Sequence, residues 1–89
     1  MKLIIEKSFK KGWKRCEKRG CKKKDLSEII EKIKLNKLEP RHCPHKWGNF
    51  KGIKDVWELH IKPNWLLLYK KDKGILYLLG TGTHADFNI

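Results

Sequence analysis

The chain has 89 residues, enough for one domain with one hydrophobic core, and its four Trp, two Tyr and three Phe exclude a disordered composition. Its net charge of +12 favours polyanionic partners such as nucleic acid, an acidic protein or an anionic membrane surface. No apolar run approaches the roughly 20 residues of a membrane span. The N-terminus lacks the apolar region of a signal peptide, so we expect a cytoplasmic protein with no membrane partner.

The first elements in chain order are a short strand and a cationic helix. Residues 2–5 are predicted to form the strand, and Ser8 is a suitable N-cap for the helix. Gly20 is placed to end this helix as its C′ residue. Residues 7–24 carry a single acid among their many basic side chains, which indicates either a polyanion-binding surface or simply a solvated helix face. One apolar stripe interrupts the charge, and we expect it to pack in the core: Phe9, Trp13 and Cys16.

A second helix is predicted from residue 25 to the segment before Pro40. Asp25 can cap it, with Glu28 as the capping-box partner. Apolar residues at three- to four-residue spacing give it a buried face. The two helices are therefore expected to pack as a hairpin on a sheet.

Residues 39–54 are predicted to form a long functional loop, because no regular periodicity is evident there and His, Arg, Lys and aromatic residues are concentrated. Aromatic side chains can stack on bases while cations hold phosphates, and Trp47 is the best candidate for stacking. His42 and Cys43 are interpreted as ordinary loop residues.

The second half of the chain predicts a small antiparallel sheet. Residues 55–61 alternate between apolar and polar, with Trp57, Leu59 and Ile61 on one face. Pro63-Asn64 is a turn, and residues 65–69 form a central strand that is covered on both faces. A hairpin turn at 71–74 and a last strand at 75–79 follow, then a glycine-rich loop and a short tail, residues 85–89.

The three cysteines do not indicate a disulfide framework, because the count is odd and a secretory signal is lacking. Cys16, Cys21 and the segment 42–45 offer four or more metal ligands, but neither group has the Cys-x2-Cys spacing of common zinc sites. Free thiols are the preferred interpretation, and no metal or cofactor is expected.

The candidate site combines His60 and His84, at predicted strand ends, with His45 of the predicted loop, and His42 is a further candidate. Imidazoles titrate near neutral pH and can share acid and base roles, and a cationic surrounding stabilises a charged phosphorane. This combination suits metal-free RNA cleavage in which the ribose 2′-OH is the nucleophile. Glu58, on the same strand face as His60, is interpreted more readily as a cross-strand ion-pair partner than as a base.

The segments Glu58–Tyr69 and Thr81–His84, together with residues 45–52, resemble the YafQ-like branch of the RelE/ParE toxin superfamily of bacterial type II toxin–antitoxin systems. The resemblance implies a single α+β domain over residues 1–89, with a short N-terminal strand and a two-helix hairpin packed on a small, twisted antiparallel sheet. It implies an endoribonuclease that cleaves mRNA on the ribosome, near the A site with its 16S and 23S rRNA, and that is neutralised by a cognate antitoxin.

The family's site residues fall on several positions of this chain. The resemblance implies catalytic roles for His45, His60, Asn64 and His84. The expected substrate-binding residues are Lys46, Trp47, Lys51, Lys62 and Phe87.

This chain departs from the family pattern at three positions. Asn64 replaces the usual Asp, Gly80 stands where Arg is frequent, and Phe87 lies one place early. Lys46, Lys51 or Lys62 could supply the missing cation. Two alternatives therefore stay open: a non-nucleolytic ParE-like toxin or weakened antitoxin-binding relative, and a basic nucleic-acid-binding module without catalysis.

Overall fold

The computed structural model describes residues 1–87, so the last two residues of the predicted tail lie outside the described range. The helices are α1 (Lys7–Lys18) and α2 (Lys23–Lys34). The strands are β1 (Lys2–Ile5), β2 (His45–Phe50), β3 (Ile53–Lys62), β4 (Trp65–Asp72) and β5 (Ile75–Gly82). Short 3₁₀ turns cover Pro40–His42 and Ala85–Phe87. The predicted α+β class, two helices on a small sheet, is confirmed.

The strands form one sheet in the order β1-β5-β4-β3-β2. Strands β2, β3, β4 and β5 pair antiparallel in succession, and the antiparallel pairing of β3, β4 and β5 was predicted. Strand β1 instead pairs parallel to β5, with Lys2 opposite Ile75, so the sheet is mixed. A parallel neighbour requires a long crossover connection rather than a tight turn, and everything from α1 to β4 lies between these two strands.

Both faces of the sheet carry apolar clusters of different size. The helix-covered face holds the larger one, in which buried residues of α1 and α2 pack against Leu59, Leu67 and Leu78. The opposite face holds a smaller cluster: Val56, Leu68 and Leu79, with half-buried aromatic residues around them. The residues 65–69 of the central strand β4 are all buried, which confirms the prediction that this strand is covered on both faces.

The predicted helix starts were wrong. Helix α1 begins at Lys7, and the Ser8 hydroxyl donates to the Leu79 carbonyl of β5 instead of capping the helix. Helix α2 begins at Lys23 without a side-chain cap, so Asp25 lies inside its first turn. In both cases the helix start follows from packing against the sheet rather than from a capping side chain.

The C-terminal ends of both helices are set by residues with a positive φ. Gly20 ends α1 as predicted, with a φ of 93°. The amides of Gly20 and Cys21 close back on the carbonyls of Glu17 and Cys16, a Schellman arrangement. Helix α2 ends at Lys34, well before Pro40, because Asn36 adopts the left-handed conformation with a φ of 55°.

The prediction of a loop over residues 39–54 was wrong, because this segment contains a 3₁₀ turn, strand β2 and the start of β3. Gly48, with a φ of 131°, lies between two register shifts in the β2–β3 pairing. Such bulges break the alternation by which a strand is recognised in a sequence.

The glycine-rich segment at 80–82 continues β5 and is not the predicted loop. Gly12 of α1 explains how closely the helix approaches this strand end. A Cβ at Gly12 would lie 2.2 Å from the Thr81 carbonyl oxygen. Gly12 thus brings α1 against the strand that leads to His84.

Candidate active site

Strand pairing places His45 directly opposite Glu58 at the start of β2. The Glu58 Oε1 atom lies 3.3 Å from His45 Nε2 and 3.6 Å from His60 Nε2. Glu58 therefore stands between two imidazoles, one across the strand pair and one on its own strand.

Hydrogen bonding fixes the tautomer of His45. Its Nδ1 lies 2.7 Å from the Cys43 carbonyl oxygen, which can only accept, so Nδ1 carries a proton. The Nε2 atom of the ring faces the Glu58 carboxyl group. The two ring nitrogens of His45 are therefore directed at the Cys43 carbonyl and at a buried carboxyl group.

The Glu58 side chain is buried, with 3% of its surface exposed. Its Oε2 atom has no hydrogen-bond partner among residues 1–87. A buried carboxylate is costly unless it is paired. Sequence reasoning gave Glu58 only the role of a cross-strand partner. The sequence feature that indicates a larger role is its position two residues before His60, which puts both side chains on the same face of β3.

His60 and His84 lie against each other, with ring centroids 5.5 Å apart and planes at 85°. Asn64, in the turn between β3 and β4, places its Oδ1 atom 3.1 Å from His84 Nδ1. Because an amide oxygen accepts, the His84 Nδ1 atom is the donor of this hydrogen bond, and Asn64 orients the ring. The structure thus brings the four residues predicted as catalytic together with Glu58.

The turn that carries His84 is held by Asp86. Its Oδ2 atom accepts from the Thr83 amide at 2.8 Å and from Arg19 Nη1 of α1 at the same distance. The hydrogen bond from Arg19, followed by that from the Thr83 amide, keeps the pKa of Asp86 well below its ordinary value. A charged Asp86 therefore ties helix α1 to the end of β5.

The predicted substrate-binding aromatic residues pack on one another beside this cluster. Trp47 meets Phe50 edge-on at 5.8 Å, and Phe50 meets Phe87 in the same way at 6.1 Å. A Cβ at Gly80 would lie 3.3 Å from Phe87 and 3.4 Å from Phe50. The space above Gly80 is therefore filled by aromatic rings.

The predicted substrate-binding lysines lie in three different environments. Lys46 is paired with Asp55 at 3.3 Å. Lys51 lies over the Phe50 ring, with its Nζ atom 5.7 Å from the centroid. Lys62 makes only a loose 4.0 Å contact with Asp25 and keeps 58% of its side chain exposed.

His42 is not the loop residue that was predicted. It is buried in the 3₁₀ turn, where its Nδ1 atom accepts from the Glu39 amide at 3.0 Å. Burial, with Arg41 and Lys32 nearby, lowers its pKa, so this ring is neutral at pH 7. Its role in the structure is to hold the turn.

The three cysteines are free thiols. Burial, with the neighbouring Cys21, raises the pKa of Cys16 to about 11, so this sulfur is no nucleophile at neutral pH. Within residues 1–87 no group of three or more His, Cys, Asp or Glu side chains is placed to hold a metal ion. Neither described helix is long and apolar enough to cross a membrane.

Two helices on a five-stranded mixed sheet place this basic domain in the class of small toxins with the RelE-like α+β fold. The family described as "Bacterial toxin of type II toxin-antitoxin system, YafQ" matches residues 1–88. The mRNA interferase toxin YafQ of Escherichia coli K12 is 31% identical over 68 residues, covering 70% of this chain and 71% of that protein.

Solved structures agree with this assignment. A copper-bound mutant toxin from Helicobacter pylori superposes with a TM-score of 0.82 at 30% identity, covering 97% of both chains. The YafQ chain of the E. coli DinJ–YafQ complex superposes with a TM-score of 0.79 at 26% identity, covering 94% of this chain and 93% of that one. The chain belongs to the YafQ family of type II toxins, the mRNA interferases, which confirms the predicted family.

Proposed function

We propose that this protein cleaves mRNA on the ribosome by metal-free transfer of its backbone phosphate to the ribose 2′-OH. The observation that carries the proposal is the contact of His60 with His84 beside Asn64 and Glu58. The name of the E. coli relative, mRNA interferase toxin, supports the same reaction.

His84 is assigned as the base. Its Nδ1 atom donates to Asn64, and in the neutral ring the Nε2 atom takes the 2′-OH proton. The 2′-oxygen then attacks phosphorus, the bond to the 5′-oxygen breaks, and a 2′,3′-cyclic phosphate is left. Asn64 carries no charge, so its role is to orient His84 and not to accept the proton.

His60 is assigned as the acid that protonates the leaving 5′-oxygen. The Glu58 Oε1 atom lies 3.6 Å from the Nε2 atom of this ring and orients it. His45, whose Nε2 atom lies 3.3 Å from the same oxygen, assists His60 or binds a phosphate oxygen. Glu58 is a positioning residue in this scheme, because it is buried away from the substrate.

Substrate binding is assigned to the residues beside the cluster. Lys62, Lys46 and Lys51 bind the RNA backbone, and Trp47 and Phe87 support the bases. The basic surface of α1 contacts ribosomal RNA and the acidic part of a cognate antitoxin, by analogy with the DinJ–YafQ complex. A cytoplasmic location follows from these partners.

The test is to induce the wild type and a His60→Ala, His84→Ala double variant and to map transcript 5′ ends. We expect codon-phased cuts and growth arrest with the wild type, and neither with the double variant. Lys73→Gln, in the turn at the other end of β4 and β5, is the matched control and should cut normally. Intact mRNA with DNA damage would instead indicate a ParE-like toxin, and toxicity that survives in the double variant would overturn the mechanism.

A further inference from the structure

Strand β3 loses its neighbour beyond the active-site carboxylate. Strand β2 pairs with β3 only as far as the His45–Glu58 pair. From there to Lys62 the 3₁₀ turn Pro40–His42 packs beside β3 instead of a strand. The two form a cleft of about 370 Å³ with His60 in its lining. The lining residues are Arg41, His42, His60, Ile61, Lys62 and Pro63.

This cleft is cationic, and its charges are accessible. The Arg41 side chain is 66% exposed and is held by a single 3.0 Å bond from its Nε atom to Glu39. Hydrogen bonds from Lys32 and Arg41 lower the pKa of Glu39 to about 2, so that carboxylate is already paired. His42 adds no charge, since burial lowers its pKa. Arg41 and Lys62 therefore give the cleft a positive field beside His60.

Lys46 and Lys51 do not line this cleft. Lys46 pairs with Asp55, and Lys51 lies over Phe50. The place above Gly80 is filled by aromatic rings. Lys62 also lines a second, open cleft of about 710 Å³, to which Asn64 contributes. Lys62 is therefore shared by the two clefts.

We propose that Arg41 and Lys62 bind an RNA phosphate that neighbours the scissile one, with Arg41 as an RNA-binding residue on the cleft wall opposite His60. This proposal rests on the proposed function. An RNA backbone fits better than an acidic protein, because the cleft is continuous with the ring that must meet the reacting phosphate. Arg41 presents planar donors that match two phosphate oxygens.

The experiment compares single-turnover kcat/KM for wild type, Arg41→Gln, Lys62→Gln and the control Lys73→Gln. The substrates are a short mRNA, alone and programmed into ribosomes, and versions in which one phosphate next to the cleavage site is neutralised as a methylphosphonate. For single-stranded RNA, one lost phosphate contact changes affinity about fivefold between 0.1 M and 1 M salt. Thermal unfolding checks that each variant is folded.

We expect Arg41→Gln and Lys62→Gln each to lower kcat/KM about fivefold at 0.1 M salt, with the loss vanishing near 1 M. Neutralising one particular phosphate should lower the wild-type value by more than either substitution does, because it removes both contacts. The same neutralisation should lower the value of Arg41→Gln or Lys62→Gln by less, and leave the double variant unchanged, since those contacts are already lost. Lys73→Gln should behave like the wild type on every substrate.

Three outcomes would overturn the proposal. Additive effects of Arg41→Gln and of every neutralised phosphate would show that Arg41 binds no phosphate there. Polyglutamate, added as a competitor, serves as a probe for acidic proteins. If the Arg41→Gln, Lys62→Gln double variant cleaved RNA like the wild type but were no longer inhibited by polyglutamate, the cleft would be assigned to an acidic protein. If the wild type cleaved no substrate, the proposed function would fail together with this inference.

Discussion

The two faces of strand β3 differ in what they contribute. Toward the helices, Leu59 and Ile61 are buried in the larger apolar cluster. On the face of the sheet opposite the helices, called the open face below, Glu58 and His60 lie close to His45 and His84. Because side chains alternate along a strand, adjacent residues of one segment serve stability and chemistry separately.

The two faces of the sheet also differ in the hydrogen bonding of their buried polar side chains. On the helix-covered face, the buried Trp65 indole donates to Thr81, whose hydroxyl donates to the Leu66 carbonyl. On the open face, the buried Glu58 keeps one oxygen without a partner among residues 1–87. The first arrangement stabilises the fold, whereas the second keeps a carboxyl group between the histidines at a cost in folding free energy. Substitutions on the two faces should therefore separate stability from activity.

The largest expected effect is on the open face. His60→Ala or His84→Ala should each lower the cleavage rate by about 10²- to 10⁴-fold, because each removes one proton-transfer group. The stability of His84→Ala should change by about 0.5 kcal/mol or less, as for surface positions in general. His60→Ala should cost more, because it also removes a neighbour of the buried Glu58. Single-turnover cleavage and urea unfolding of the same samples measure both. A rate close to that of the wild type in either variant would contradict the assignment.

Leu59→Ala tests the helix-covered face of the same strand. It should lower the free energy of unfolding by about 2–5 kcal/mol, because a fully buried side chain leaves a cavity. The rate per folded molecule should stay near that of the wild type. Urea unfolding at fixed pH gives the free energy of unfolding. The cleavage rate is divided by the concentration of folded protein. A folded variant with a large loss of rate would show that the two faces are coupled.

Gly12→Ala tests how tightly α1 fits the strand that leads to the site. The added Cβ would meet the Thr81 carbonyl at 2.2 Å, so helix and strand must separate. We expect a loss of about 1–3 kcal/mol in stability from this overpacking. Cleavage should also fall, because β5 ends beside His84. Unchanged thermal unfolding would mean that the helix does not rest on this strand.

The smallest expected effect concerns Asp86, and it depends on pH. Its pKa is depressed in the folded state by Arg19 and the Thr83 amide, so its stabilisation is present above the ordinary Asp pKa and is lost as pH falls. Asp86→Asn should cost about 1 kcal/mol at pH 7, since the pair is partly exposed. The difference from the wild type should shrink toward pH 3. A gap that stays constant with pH would rule out this ion pair as the source.

Sequence reasoning found the parts of the molecule with regular local patterns. The apolar run of β4 predicted its burial correctly, and the alternation along β3 placed Leu59 and Ile61 on the buried face. Trp57, grouped with them by the alternation, is exposed. The Gly20 helix end and the two helices also followed from local chemistry. These features depend on neighbouring residues in the sequence, which is why they could be predicted.

The missed features depend on contacts between distant segments. Strand β2 was hidden by the bulges around Gly48, and the role of Glu58 could not be seen without the pairing that places His45 opposite it. Ser8 was assigned to a helix cap because its real partner, the Leu79 carbonyl, is remote in sequence. Periodicity also cannot tell that a short strand such as β1 will pair parallel to β5.

The most direct test of the central claim is the pH dependence of kcat/KM for mRNA cleavage by the wild type and by His84→Gln. The account predicts a bell-shaped wild-type profile within the range where imidazoles titrate. His84→Gln should lose the acidic limb, because its base is gone, and should keep the alkaline limb that belongs to the acid. A flat wild-type profile, or a variant with both limbs intact, would contradict the claim that histidines on the open face carry out the reaction.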